Sequence, residues 1–252
     1  MYLNIKQMKK TLLLFDVDGT LTKPRLKITN DMVELLQKLS KKDTIELGFV
    51  GGSDIEKQKE QLGEENFHLF TWKCSENGLL TYHNEKVIHK VSMINNIGEE
   101  TYQRLVNACL KIMSELTLPK KRGTFIELRN GMINVSPIGR SCSQEVRDEF
   151  VQYDKEHKVK ETFVRQLQES VPDLCDLLQF SIGGQISIDI FPKGWNKTYC
   201  LQFLTDTYET IYFFGDKTME GGNDYEIYKD PRVKGTTVTS YHDTMNFLQQ
   251  FI

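Results

Sequence analysis

The first apolar block of the chain, Leu12-Leu13-Leu14-Phe15, contains no polar residue and ends abruptly on Asp16. Such a run predicts a strand buried on both faces, as in a parallel sheet, with the aspartate at its carboxyl end. Met32, Val33, Leu35, Leu36 and Leu39 then recur at helical spacing, and Leu47-Gly48-Phe49-Val50 forms a second apolar run. Together they make a strand–helix–strand rhythm. Ser53-Asp54-Ile55-Glu56 reads as a capping box that opens another helix, with Ser53 at the N-cap and Glu56 at the third helical position. The same texture returns late in the chain, where Ile211-Tyr212-Phe213-Phe214 runs into Gly215-Asp216 and Thr236-Thr237-Val238 offers a further short strand.

Between these halves the periodicity changes. Tyr102, Leu105, Val106, Cys109, Ile112, Met113 and Leu116 mark a long amphipathic helix that stops before Pro119. Two hairpins are then predicted. Residues 124–128 and 132–135 flank Asn130-Gly131, a type I′ turn signal, and a second pair, ending in Phe180-Ser181-Ile182 and beginning at Gln185, flanks Gly183-Gly184. Helical patterns at 143–155 and 160–170 separate the hairpins. The predicted fold class is α/β, a doubly wound parallel-sheet core (1–87 and 191–252) carrying an inserted α+β cap (88–190), an antiparallel sheet backed by helices. The linkers at 84–88 and 190–195 are the expected hinges.

Composition narrows the class without deciding it. A chain of 252 residues, 39% hydrophobic and 27% charged, is ordinary globular material. The net charge of −3 supplies no broad positive field, so nucleic acid is not the expected partner. MYLNIKQMKK lacks an apolar signal core, and no apolar run reaches membrane-spanning length. A cytoplasmic protein with reduced thiols is expected, because the five cysteines form no C-x-x-C pair. The histidines lack zinc-ligand spacing.

The chemistry concentrates at the strand ends. Open α/β sheets bind ligands at the carboxyl ends of their strands, where Asp16-Val17-Asp18-Gly19-Thr20 falls. Two such close carboxylates do not both ionise comfortably unless a cation lies between them, and Mg²⁺ accepts oxygen ligands of this kind together with a substrate phosphate. One carboxylate then serves as nucleophile and the other as acid/base. Three further sites stand in the order of the haloacid-dehalogenase superfamily, which the chain resembles. Ser53 after Phe49-Val50-Gly51-Gly52 resembles its phosphate-holding motif, and Lys197 after Trp195 resembles the lysine that stabilises an aspartyl-phosphate. Gly215-Asp216-Lys217-Thr218-Met219-Glu220-Gly221-Gly222-Asn223-Asp224 resembles its metal site. The resemblance implies Asp16, Lys197, Ser53 and Asp18 as catalytic residues. It also implies a Mg²⁺ held by Asp16, the backbone oxygen of Asp18, Asp216 and Asp224.

The insert resembles that of the eukaryotic phosphomannomutase family through residues 125–140, from Phe125-Ile126-Glu127-Leu128-Arg129 to Gly139-Arg140, and through Ser181-Ile182-Gly183-Gly184-Gln185-Ile186-Ser187-Ile188-Asp189. Alternation along the second segment sets Ile186, Ile188 and Ile190 on one face and Gln185, Ser187 and Asp189 on the other. The resemblance implies that Arg129, Arg140 and Arg147 hold a distal phosphate, with Arg25 reaching in from the core, while Ser187 and Asp189 contact sugar hydroxyls. Arg147 has a plainer alternative, pairing with Asp148 or Glu149 on its own helix.

The implied reaction interconverts mannose 6-phosphate and mannose 1-phosphate through a hexose 1,6-bisphosphate, supplying mannose 1-phosphate for GDP-mannose synthesis and glycosylation. The implied assembly is a homodimer through the cap, with the helix at 99–116 a candidate surface. Asn196 stands where the family commonly has Asp. A second cation at the Tyr228 carbonyl and Asp230 is also implied, although Val233 lies in that loop. A sugar phosphatase of the same superfamily is the alternative, and a non-catalytic sugar-phosphate sensor is a more distant one. Dependence on a bisphosphate separates mutase from phosphatase.

Overall fold

The computed structural model describes residues 10–252. In chain order, the elements open with β1 (Thr11–Phe15), α1 (Asn30–Ser40), β2 (Ile45–Val50), α2 (Ile55–Leu62), β3 (Trp72–Ser75), β4 (Leu80–His83) and β5 (Lys86–Lys90). There follow α3 (Met93–Ile97), α4 (Glu99–Glu115), β6 (Ile126–Leu128), β7 (Ile133–Val135), α5 (Gln144–His157), α6 (Val159–Ser170), β8 (Leu178–Gly183) and β9 (Ser187–Pro192). The chain ends with β10 (Thr210–Gly215), α7 (Tyr225–Lys229), β11 (Lys234–Thr237) and α8 (Tyr241–Leu248). It divides into two compact units, one running to Lys90 and resuming at Gly194–Ile252, the other Val91–Lys193.

The first unit is built on a seven-stranded sheet in the order β11-β10-β1-β2-β3-β4-β5. β11, β10, β1, β2 and β3 are mutually parallel, and β4 and β5 add an antiparallel edge. β1 lies at the middle of the parallel part with both faces covered, and Leu12, Leu13, Leu14 and Phe15 are fully buried. Leu13 and Phe15 pack with α1 and α8 residues such as Leu36 and Leu248. Leu12 and Leu14 face the opposite layer, with Trp72, Cys200, Leu201 and Phe213. The unbroken apolar run is thus the consequence of two buried faces.

At the amino end of this sheet, the Trp72 indole donates to the Tyr208 hydroxyl at 2.6 Å, Tyr208 donates to Glu46, and Lys10 donates to Glu46 at 2.5 Å. Tyr208→Phe leaves a buried indole N–H without its acceptor. We expect a loss of about 1–3 kcal/mol in denaturant unfolding. A change under about 0.5 kcal/mol would show that water replaces the hydroxyl there.

The second unit carries a four-stranded antiparallel sheet, β6-β7-β9-β8. Ile133, Ile188 and Ile190 are fully buried on one face of it. Two turns differ from the sequence reading. Asn130 and Gly131 are not in the positive-φ conformation of a type I′ turn, because Asn130 is committed elsewhere. Its carbonyl accepts the Met93 N–H at 2.7 Å and its amide donates to the Val91 carbonyl at 3.0 Å. The hairpin loop is instead Arg129–Met132, closed by Arg129 N–H to the Met132 carbonyl at 2.8 Å. In the second hairpin, Gly183 still pairs with Ser187, so residues 184–186 form the turn and Gln185 belongs to it. A Cβ on Gly183 would lie 2.6 Å from an Asp189 oxygen, which explains the glycine. Among the described residues, no helix is long and apolar enough to cross a membrane.

Candidate active site

β1 carries Asp16 to the carboxyl end of the sheet, where its N–H donates to the Phe214 carbonyl of β10 at 2.9 Å. The chain then turns tightly, with the Val17 carbonyl accepting from Leu21 at 3.0 Å and Thr22 at 3.1 Å, and Gly19 N–H donating to Thr22 at 2.8 Å. Gly19 has φ +85°, and a Cβ there would lie 2.8 Å from the Asp216 carboxyl carbon. Glycine is needed both for the left-handed backbone and for the approach of Asp216. Gly215 allows the same close approach of Asp224, whose carboxyl carbon would lie 2.7 Å from an added Cβ. The loop from Asp216 returns through the Lys217 carbonyl, which accepts the Asp224 N–H at 3.2 Å, and the Asp224 carboxylate accepts the Lys217 N–H at 3.0 Å.

Lys197 opens a 3₁₀ turn, Lys197–Phe203, capped by Asn196, whose side-chain oxygen accepts the Thr198 N–H at 2.9 Å and hydroxyl at 2.6 Å. Asparagine caps a helical end as well as aspartate does, so this role survives the departure from the family residue. The Lys197 ammonium donates to Asp16 and, at 2.5 Å, to Asp224. All three side chains are buried, Lys197 at 1% exposure.

Burial pushes the Asp16 carboxyl up to about 6; Lys197 pulls it down, and Asp224 and Asp216 push it further up. Burial likewise raises Asp216. Burial pulls the Lys197 ammonium down, but Asp16 and Asp224 outweigh it and hold the group above its ordinary value. Three carboxylates against one ammonium leave the cluster with excess negative charge.

That excess fits a cation. Asp16, Asp216 and Asp224 each offer an oxygen, all within 4.8 Å of one another, and one buried Asp216 oxygen has no hydrogen-bond partner. An all-oxygen donor set of this kind suits a hard divalent ion. The Asp18 carboxylate is turned to other partners. One of its oxygens accepts the backbone N–H of Arg25 and the side-chain amide of Gln61, both at 2.7 Å.

Ser53 is half-buried and lines a cavity of about 150 Å³ with Asp16, Asp18, Gly51, Gly52, Gln58, Gln61, Lys217 and Asn223. This is well below the roughly 300–1,000 Å³ of pockets that enclose a drug-sized ligand, and it suits a phosphoryl group. Ser53 is not the N-cap. Asp54 caps α2, accepting the Lys57 N–H at 2.9 Å, since its carboxylate serves equally well one residue later. Arg25 has φ +62°, is exposed, and meets the site through its backbone.

In the Val91–Lys193 unit, Arg140 donates to Asn134 at 2.6 Å and to Ser187 at 3.2 Å, and Asn134 donates to Asp189 at 2.6 Å. Glu127 bridges Arg129 at 2.9 Å and Arg140 at 2.8 Å. Arg147 donates to the Arg140 carbonyl at 2.9 Å. Gln185 lies apart from this group and donates to Asp148 at 2.8 Å. Asp230 is held through both oxygens by Arg232, at 2.8 and 2.7 Å, so a cation at Tyr228 and Asp230 competes with a guanidinium.

The profile described as eukaryotic phosphomannomutase matches residues 32–252. The chain is 54% identical over 242 residues to phosphomannomutase 1 of Dictyostelium discoideum, covering 95% of this chain and 96% of that one. It is 53% identical over 246 residues to the phosphomannomutase of Saccharomyces cerevisiae, covering 97% and 95%. The chain belongs to the eukaryotic phosphomannomutase family.

Solved structures place the phosphomannomutase chain in the haloacid-dehalogenase fold. A sugar phosphatase of subclass IIB of that superfamily aligns with TM-score 0.59 at 16% identity, over 96% of this chain and 99% of that one. The trehalose-6-phosphate phosphatase C-terminal domain of C. albicans aligns equally well, over 98% and 93%. Four polar residues of this phosphomannomutase-family chain were given no role in the sequence reading: Gln61 on Asp18, Gln58 lining the same cavity with its oxygen on the Ser75 hydroxyl, and Glu127 and Asn134 beside the arginines. Gln58 and Gln61 sit three apart on α2 and are buried. Two glutamines on the inner face of a short helix were the available signal.

Proposed function

We propose that the chain interconverts mannose 6-phosphate and mannose 1-phosphate by passing a phosphoryl group through Asp16, with a hexose 1,6-bisphosphate as activator and intermediate. The observation that carries this reading is a buried carboxylate at a parallel-strand end, paired with Lys197, in a chain more than half identical to curated phosphomannomutases. Burial disfavours the ionised form of Asp16, and the Lys197 ammonium bonded to it works the other way and favours the carboxylate that acts as nucleophile. Asp16 attacks a phosphorus of the bisphosphate. The bond from phosphorus to the sugar oxygen breaks, and that oxygen takes a proton from Asp18, leaving an aspartyl-phosphate and a hexose monophosphate. A hexose monophosphate substrate then meets the aspartyl-phosphate; its free hydroxyl gives its proton to Asp18 as its oxygen takes the phosphoryl group from Asp16. The hexose 1,6-bisphosphate so formed reorients and returns its other phosphoryl group to Asp16, the departing sugar oxygen taking the proton from Asp18, which leaves the isomeric monophosphate.

Lys197 offsets the charge on the Asp16 side chain before and after transfer. Ser53 and its neighbouring amides bind the moving phosphoryl oxygens. Arg129, Arg140 and Arg147 grip the distal phosphate with Arg25 as a further guanidinium, and Ser187 and Asp189 hold sugar hydroxyls. Mg²⁺ held by Asp16, Asp216, Asp224 and the Asp18 backbone oxygen supplies positive charge against the repulsion between carboxylate and phosphate. Millimolar Mg²⁺ is expected to raise the melting temperature, since a ligand at 100 times its Kd stabilises by about 2.7 kcal/mol. Asp216→Asn loses most of that rise; equal rises in both proteins would put the cation elsewhere.

The product feeds GDP-mannose synthesis and glycosylation in the cytosol. The protein works as a homodimer through the Val91–Lys193 unit. Leu105, Cys109, Ile112 and Met113 of α4 are buried and the helix packs on α3 and α6, which leaves Leu110 as its exposed large apolar side chain. The deciding assay supplies mannose 1-phosphate and Mg²⁺, with and without trace bisphosphate, and follows mannose 6-phosphate beside free phosphate. Bisphosphate-dependent mannose 6-phosphate is the expected result. Free phosphate alone, without that dependence, would make the protein a sugar phosphatase.

A further inference from the structure

We infer that Gln61 is the positioning residue for the acid/base Asp18, holding one carboxylate oxygen so that the other exchanges the proton. This rests on the phosphoryl-transfer reading above. The Gln61 amide and the Arg25 backbone N–H both donate to the same oxygen, Oδ1, each at 2.7 Å. Two short bonds occupy that oxygen and fix the carboxyl plane. Oδ2 is therefore the oxygen free to give and take the proton.

The chemistry of an amide suits this task. Its N–H neither loses a proton to a carboxylate nor gains one from a carboxylic acid, so it grips Oδ1 in both protonation states without diverting the relay. The carboxylate also fixes the amide orientation, because an ionised carboxylate only accepts. The Gln61 nitrogen must face Asp18, and its oxygen Oε1 is buried with no hydrogen-bond partner.

Gln61 is itself firmly placed. It is 4% exposed in the last turn of α2, and its backbone carbonyl, an orphan of that helix end, accepts the Ile28 N–H at 2.8 Å. Gly63 ends the helix with φ +78°. One residue thus ties the segment after Asp18 at two points, through Asp18 and through Ile28. Between them Arg25 adopts a left-handed backbone, φ +62°, that aims its N–H at Asp18.

The test exploits the leaving group. When Asp16 attacks a hexose 1,6-bisphosphate, the departing sugar oxygen needs the proton of Asp18. When it attacks acetyl phosphate, acetate departs with the bonding pair as a stable anion and needs none. Acid-quenched labelling of the protein with each ³²P-donor, at saturating Mg²⁺, measures the two rates in wild type, Gln61→Met and Gln61→Glu. General acid–base catalysis contributes about 10²–10⁴-fold, and we expect Gln61→Met to lose about 10–100-fold of the bisphosphate rate but less than threefold of the acetyl phosphate rate. Gln61→Glu sets an acceptor against an acceptor and loses more with the bisphosphate than Gln61→Met does. Equal losses with both donors, or no loss with either, overturn the assignment. Wild-type protein that neither donor labels, or Asp16→Asn that labels as wild type does, overturns instead the aspartyl-phosphate reading beneath it.

Discussion

Asp16→Asn is expected to abolish mutase turnover, by about 10⁴-fold or more, while leaving the protein folded. The size follows from the role, because removing a covalent nucleophile takes away the reaction path and leaves only what binding and electrostatics provide. The substitution is isosteric, and Lys197 keeps Asp224 at 2.5 Å as a partner, so no unpaired buried charge is created. One carboxylate of three is removed from a cluster in which burial already disfavours ionised Asp16. Melting within a few degrees of wild type, together with lost turnover, assigns the effect to chemistry. Residual turnover within about tenfold of wild type would sink the nucleophile assignment.

Lys197→Met should have the largest effect on stability. The ammonium is 1% exposed and bonded to two carboxylates that are themselves 7% and 0% exposed. Two effects oppose each other here. Burial disfavours the charged lysine, yet Asp16 and Asp224 hold it charged above its ordinary value. Replacing it leaves the carboxylates facing each other out of water, and breaking a buried pair in this way costs about 3–5 kcal/mol. We expect a loss of that size in metal-free denaturant unfolding, with much of it restored by millimolar Mg²⁺ while turnover stays lost. A metal-free loss below about 1 kcal/mol would mean that the cluster takes up protons or water instead.

Much of the core was legible because its signals are local. The runs Leu12–Phe15 and Ile211–Phe214 are apolar, Tyr212 being half-buried, because both faces of their strands are covered, and the first leads directly into Asp16 and the second through Gly215 into Asp216. Lys197 and the Gly215–Asp224 loop were legible for a different reason, their order along the chain in a pattern shared with a known superfamily. The misreadings arose where two residues compete for one local role. Ser53 and Asp54 both suit an N-cap, and nothing nearby in sequence says which carboxylate or hydroxyl meets the Lys57 N–H. Asn130-Gly131 has the composition of a tight turn, but contacts with Val91 and Met93, almost forty residues earlier, set its backbone.

The sequence by itself determined the strand–helix–strand opening, the long α4, the two hairpins with their helices, the late strands, the positions of the strand-end carboxylates and the family, because hydrophobic period and motif order are properties of neighbouring residues. The short strands β3, β4 and β5 and the helices α3, α7 and α8 were not read from it. Only the tertiary structure decided which groups answer one another. Lys197 meets Asp16 across 181 positions and Gln61 meets Asp18 across 43, and Glu127 and Asn134 emerged as partners of the arginines only once the strands paired. Hydrogen bonds and ion pairs act over a few ångströms of space, a separation that sequence distance does not encode until the sheet is assembled.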